Sequence, residues 1–109
     1  PLSDENLRDI LKLMLHKEQK LADERGLALN FTAETKNYLL AQNDHPEWGA
    51  RPLRRIIRRF IREPLADFML KENPAAGTII TVDANPDDGI VFEIQESADR
   101  SRRAIGYKD

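Results

Sequence analysis

The sequence predicts an α+β domain of four helices with a small three-stranded β-sheet, and three observations carry that expectation. Apolar residues recur at helical spacing through the first two-thirds of the chain, most regularly in Leu53, Ile56, Ile57, Phe60 and Ile61. After Asn73-Pro74 the period becomes strand-like, with β-rich runs over Thr78 to Val82 and Ile90 to Ile94. Asn85-Pro86-Asp87-Asp88-Gly89 separates those runs with turn-forming residues and predicts a hairpin.

Each element has its own signal. Ser3 is a good N-cap, and Asp4 and Glu5 place carboxylates at the positive end of a helix dipole. Leu7, Ile10, Leu11, Met14, Leu15, Leu21 and Ala22 then predict an amphipathic helix over about residues 4–25, which Gly26 ends in the left-handed conformation. Leu27, Leu29 and Phe31 alternate as a short strand able to join the hairpin. Thr32 caps a second helix reaching about Gln42, with Tyr38, Leu39 and Ala41 expected inside. A stop and loop follow at Asn43-Asp44-His45-Pro46, where Asn43 suits a left-handed cap and Pro46 restricts His45.

The third helix places Pro52 at its first position, where a missing N–H costs nothing. Its apolar face is Leu53, Ile56, Ile57, Phe60 and Ile61; Arg54, Arg55, Arg58, Arg59 and Arg62 take the other face. Pro64 predicts a break near Glu63, because proline removes a helical hydrogen bond and crowds the preceding turn. A fourth helix is then expected from Pro64 to about Lys71, burying Leu65, Phe68, Met69 and Leu70. Residues 1–94 form the expected domain, and 95–109 read as a polar, disordered tail.

The chain of 109 residues suits one domain with one modest core. It is 40% hydrophobic and 33% charged, the mix of a globular protein with a heavily charged surface. No apolar run approaches the roughly 18 residues that span a bilayer. The opening Pro1-Leu2-Ser3-Asp4 lacks the basic and apolar regions of a signal peptide. With no cysteine there are no disulfides, and the expected location is cytoplasmic. The net charge of −2 is unevenly spread: residues 51–72 hold seven basic against three acidic side chains, and both flanks are net acidic.

Much chemistry is excluded. None of Gly26, Gly49, Gly77, Gly89 and Gly106 belongs to a phosphate-binding or dinucleotide-binding glycine pattern. His16 and His45 lack metal-ligand spacing, and Asp87-Asp88-Gly89 offers too few ligands for a calcium loop. No metal is expected, and the chain by itself is not expected to be an enzyme.

The positive signal is Trp48-Gly49-Ala50-Arg51-Pro52-Leu53-Arg54-Arg55. Gly49 and Ala50 allow a tight approach, Pro52 pins the helix start, and Arg51 projects from its positive end. A guanidinium there can fork to a phosphate. Residue chemistry alone leaves this open beside the plainer reading, a surface arginine next to a cap.

The segment Gly49 to Arg55 resembles the sensor-2 motif of Clp-family AAA+ unfoldases. The surrounding order of elements also resembles their small C-terminal domain, over about residues 2–94. The resemblance implies that Arg51 contacts the γ-phosphate of ATP held, with Mg, by an adjoining large AAA+ domain, with Gly49, Ala50 and Pro52 in support. It implies that Leu11 and Leu15 lie on the adenine side. It further implies a hexameric ring of subunits, unfolded protein substrates, and either a Clp peptidase partner or a disaggregase. The full-length ATPase would use this domain as a nucleotide-sensing lid and ring interface, while the hydrolytic motifs lie in the large domain. Asn43-Asp44-His45-Pro46 and Trp48 depart from the usual Gly-Tyr-Asp-Pro and Tyr of that family.

Arg54, Arg55, Arg58, Arg59 and Arg62 admit three readings: a solvated face, an interface to a neighbouring subunit, or a nucleic-acid or membrane surface. Net acidity and the absence of interleaved aromatics argue against nucleic acid. The apolar face is needed for the core, which argues against a membrane. The competing class is a free-standing adaptor that binds through its basic helix.

Overall fold

The computed structural model describes residues 3–95 and 102–103. Helix α1, Asp4–Asp23, leads to strand β1, Ala28–Phe31, and helix α2, Ala33–Ala41. A 3-10 turn at Pro46–Trp48 precedes α3, Arg51–Ile57. A π-helical segment, Arg58–Arg62, joins α3 without interruption to α4, Glu63–Glu72. Strands β2, Ile79–Asn85, and β3, Gly89–Gln95, complete the hairpin. The class is α+β, as the residue pattern predicts.

The count of helices differs from expectation. α3, the π segment and α4 make one rod, so three helices stand where four were expected. Pro64 does not break it. Widening the turn lets the Glu63 N–H reach the Arg58 carbonyl five residues back, so the backbone stays bonded where an α-helical ladder would meet the proline ring. The rod ends at Asn73, whose left-handed conformation, φ 46°, caps α4. Asn73, and not Asn43, takes the left-handed position among the described non-glycine residues.

The caps on α1 and α2 form as predicted. Ser3 Oγ accepts from the Asn6 N–H at 3.1 Å, and the Asn6 side chain returns a bond to the Ser3 N–H. Thr32 Oγ1 accepts from the Thr35 N–H at 3.2 Å. Gly26 has φ 79° and packs against Ala76, a Cβ contact that would measure 3.2 Å, so both backbone and space favour glycine there.

β1 pairs in parallel with β2, Ala28 opposite Ile79 and Phe31 opposite Val82. β2 and β3 pair antiparallel from Ile79–Gln95 to Asn85–Gly89. A two-residue strand, β4 at Arg102–Arg103, lies antiparallel to the end of β3. The other residues from 96 onward, in the expected tail, lie outside the described ones.

The core is one cluster. Leu7, Leu11 and Leu15 of α1 meet Leu53, Ile57 and Ile61 of the rod, and Ile80, Val82 and Phe92 of the sheet. Phe68 and Phe92 join rod to sheet with ring centroids 5.2 Å apart. Thr35, fully buried, donates to the Val82 carbonyl at 2.7 Å and ties α2 to β2. On α2 the buried positions are Thr35 and Leu39, and Ala41 is exposed, contrary to expectation. Leu70 is likewise outside, 84% exposed. It stands about 200° around the helix from Phe68, so both cannot face the core.

Candidate functional site

The rod begins where the chain leaves the 3-10 turn. Gly49 has φ 70° and ψ −134°, a backbone turn that a side chain would strain. Ala50 follows in helical conformation without a side-chain cap, so Arg51 and Pro52 are the first two helical residues. Few backbone donors remain open here: Pro52 has none, and the Leu53 N–H is bonded to the Ala50 carbonyl at 3.0 Å. No acidic residue occupies the first turn of α3. Arg51 thus sets a cation at the positive end of a helix dipole, an unfavourable local arrangement that an anion would relieve.

Arg51 is exposed, and among the described residues it has neither hydrogen bond nor ion pair. It lines a concavity of about 290 Å³ together with Asp44, His45, Trp48, Arg55 and Arg59. Arg51, Arg55 and Arg59 are one helical turn apart in succession, hence on one side of the rod. Three guanidiniums against one carboxylate suit a polyanion such as a phosphate chain. They supply no carboxylate pair for a magnesium ion.

The loop opposite is organised by His45. Its ring stacks on Trp48 at 3.8 Å between centroids and 9° between planes. Its Nδ1 lies 3.0 Å from Glu47 Oε2. That hydrogen bond, with a smaller backbone contribution, holds the Glu47 carboxyl below the usual glutamate range. Trp48 remains 53% exposed, so the stack presents an aromatic face to solvent.

The other expected site residues are placed variously. Leu11 and Leu15 are 0% and 2% exposed inside the core and offer no surface to a ligand in this structure. Arg54, Arg55, Arg58 and Arg59 are exposed; Arg59 lies 5.5 Å above the Phe60 ring. Arg62 is different. It forks to Glu18 of α1, Nε to Oε1 at 3.2 Å and Nη2 to Oε2 at 2.5 Å. The pairing raises the Arg62 pKa above its already high value.

The Glu18–Arg62 pair was missed from the sequence, although a signal existed. Leu11, Leu15, Glu18 and Ala22 are spaced 4, 3 and 4 residues apart, which places an acid within the apolar stripe of α1. A carboxylate so placed needs a cation to join it. The facing rod offered six arginines.

Residues 2–82 match the family of the C-terminal, D2-small domain of ClpB protein. The chain belongs to the ClpB D2-small family. It is thus a C-terminal small domain of the Clp AAA+ type, as its motif suggested. It is 35% identical over 95 residues to Chaperone protein ClpB of Staphylococcus epidermidis, covering 86% of this chain and 11% of that protein. Against Chaperone protein ClpB 2 of Parasynechococcus marenigrum the identity is 37% over 95 residues, 87% of this chain and 11% of the relative. A Probable ATP-dependent Clp protease ATP-binding subunit of Chlamydia pneumoniae is 37% identical over 73 residues, 67% of this chain and 9% of its own length. The chain therefore spans about a tenth of the length of these relatives.

Proposed function

We propose that this D2-small domain is the nucleotide-sensing lid of an ATP-dependent protein unfoldase, with Arg51 as the group that reads the γ-phosphate. The observation that carries the reading is the exposed, unpaired Arg51 guanidinium at the start of the rod, in a concavity with a cationic excess. The family adds support, since one relative is named an ATP-binding subunit.

In this reading a large AAA+ domain holds ATP and magnesium, and Arg51 clasps the terminal phosphate from the small-domain side. Gly49 and Ala50 hold the chain close enough for that reach, and Pro52 fixes the helix start. Arg55 and Arg59 strengthen the positive field behind Arg51. Leu11 and Leu15, enclosed in the core, take no part. Loss of the γ-phosphate releases the clasp and the domain turns as a rigid body. The exposed arginines outside the Arg51 concavity then bear on a neighbouring subunit of a hexameric ring, and nucleotide state becomes motion of an unfolding substrate.

The test is a chimera in which this chain replaces the matching segment of Staphylococcus epidermidis ClpB. Arg51→Ala in the chimera removes one charge-assisted contact, about 1.5–3 kcal/mol, so ATP turnover should fall about tenfold or more. Turnover equal to that of the unsubstituted chimera would refute the sensor role.

A further inference from the structure

The arginines of the rod divide into two rows. Arg51, Arg55 and Arg59 face the concavity with His45 and Trp48. Arg54, Arg58 and Arg62 face a second groove, about 430 Å³, whose far wall is Met14, Lys17 and Glu18 of α1. Arg55 borders both. In the second groove the one acid, Glu18, is engaged by Arg62. Lys17, Arg54 and Arg58 are exposed there and have no hydrogen-bonding or ionic partner among the described residues.

We propose that this groove docks an acidic polypeptide segment, whose carboxylates fork to Arg58 and Arg54 as Glu18 forks to Arg62. The inference deepens the neighbour-contact part of the function above and rests on it in taking the partner to be protein. Glu18 already shows how a carboxylate sits against this helix face. Arg54 and Arg58 are one turn apart, a rise of about 6 Å. That spacing matches carboxylates at i and i+4 of a partner helix, or at i and i+2 of an extended strand. Met14 and Ile57 give the groove an apolar floor suited to side-chain stems. Nucleic acid fits less well, because the stacking groups His45 and Trp48 lie in the other concavity and the chain is net acidic at −2.

The test is fluorescence anisotropy with the isolated chain and three labelled probes: a short peptide alternating Glu and Ala, its Gln-for-Glu counterpart, and a single-stranded oligonucleotide of similar length. The acidic peptide is expected to bind and the Gln peptide not, with affinity falling as salt rises. Arg54→Glu with Arg58→Glu should weaken binding about tenfold or more, and Arg54→Gln with Arg58→Gln by less but clearly. Arg51→Glu, on the other row, should change it by less than about twofold. Circular dichroism checks that these surface variants stay folded. Failure of the acidic peptide to bind at low salt overturns the proposal, as does equal weakening by the two rows. Tighter binding of the oligonucleotide through Arg54 and Arg58 overturns it in favour of a phosphate surface. The failures are separable, because peptide docking is read on the isolated chain, and ring contact by sedimentation of the chimera.

Discussion

Arg51 and Arg62 bound one run of arginines, and their surroundings are opposite. At the C-terminal end, Arg62 forks to a carboxylate that is 8% exposed, on a helix of the same domain. At the N-terminal end, Arg51 opens on a concavity whose excess charge nothing within the described residues balances. The same side chain on the same helix is thus a fastener in one place and, among the described residues, an unpaired cation in the other. What differs is the neighbour. α1 runs past Arg62 with an acid in its apolar stripe, whereas the loop past Arg51 offers a stacked His45–Trp48 pair.

The contrast can be broken from beneath, since both ends stand on one apolar face. Ile61, fully buried, should cost about 2–5 kcal/mol as Ile61→Ala by chemical denaturation, because it leaves a cavity between rod and core. A value under about 0.5 kcal/mol, typical of surface sites, would mean that the rod does not depend on that face.

A smaller effect separates the ends directly. Arg62→Ala should destabilise the chain by about 1–2 kcal/mol, less than a buried pair would, because the guanidinium is half open to water. Arg51→Ala should stay within about 0.5 kcal/mol. Equal losses would erase the distinction. A double-mutant cycle with Glu18→Ala assigns the Arg62 loss to the pair, or to packing of the arginine stem. The raised Arg62 pKa places deprotonation of the guanidinium in strongly alkaline solution, so Arg62 stays charged across neutral pH.

The smallest effect belongs to the loop. Glu47 titrates below the usual glutamate range in the folded chain. Its contribution is therefore present above the unfolded value and is lost as pH falls through the folded one. Full exposure makes the change in stability slight. An NMR titration should still show the Glu47 midpoint depressed, and His45→Ala should return it toward the ordinary range. A midpoint unmoved by His45→Ala would assign the depression to the backbone contribution.

Elements whose signal is local were legible in the residues. Ser3 and Thr32 cap because their oxygens need only the next turn, and the hairpin follows from Asn85 to Gly89 alone. The place of Arg51 at the start of the rod was legible for the same reason, since Gly49, Ala50 and Pro52 are its immediate neighbours. Long-range features were not. Pro64 looked like a break because the helical rule sees one ring and one missing bond. The rod stays whole because Ile61, Leu65 and Phe68 are all buried against the core, and a π segment satisfies that packing. Glu18 found its partner 44 residues away, a distance no periodicity spans. Leu11 and Leu15 lie in the same stripe, and their burial was legible from its spacing alone.

The parallel pairing of β1 with β2 sets the order in which the molecule can assemble. Ala28 meets Ile79 only after α2, the 3-10 turn and the whole rod have been laid between them. During synthesis β1 therefore lacks its partner until residues 79–85 have been made, and closing so long a loop slows folding. That loop encloses α2 and the rod, so an insertion at the 3-10 turn, which lengthens it, should delay the sheet more than the rod.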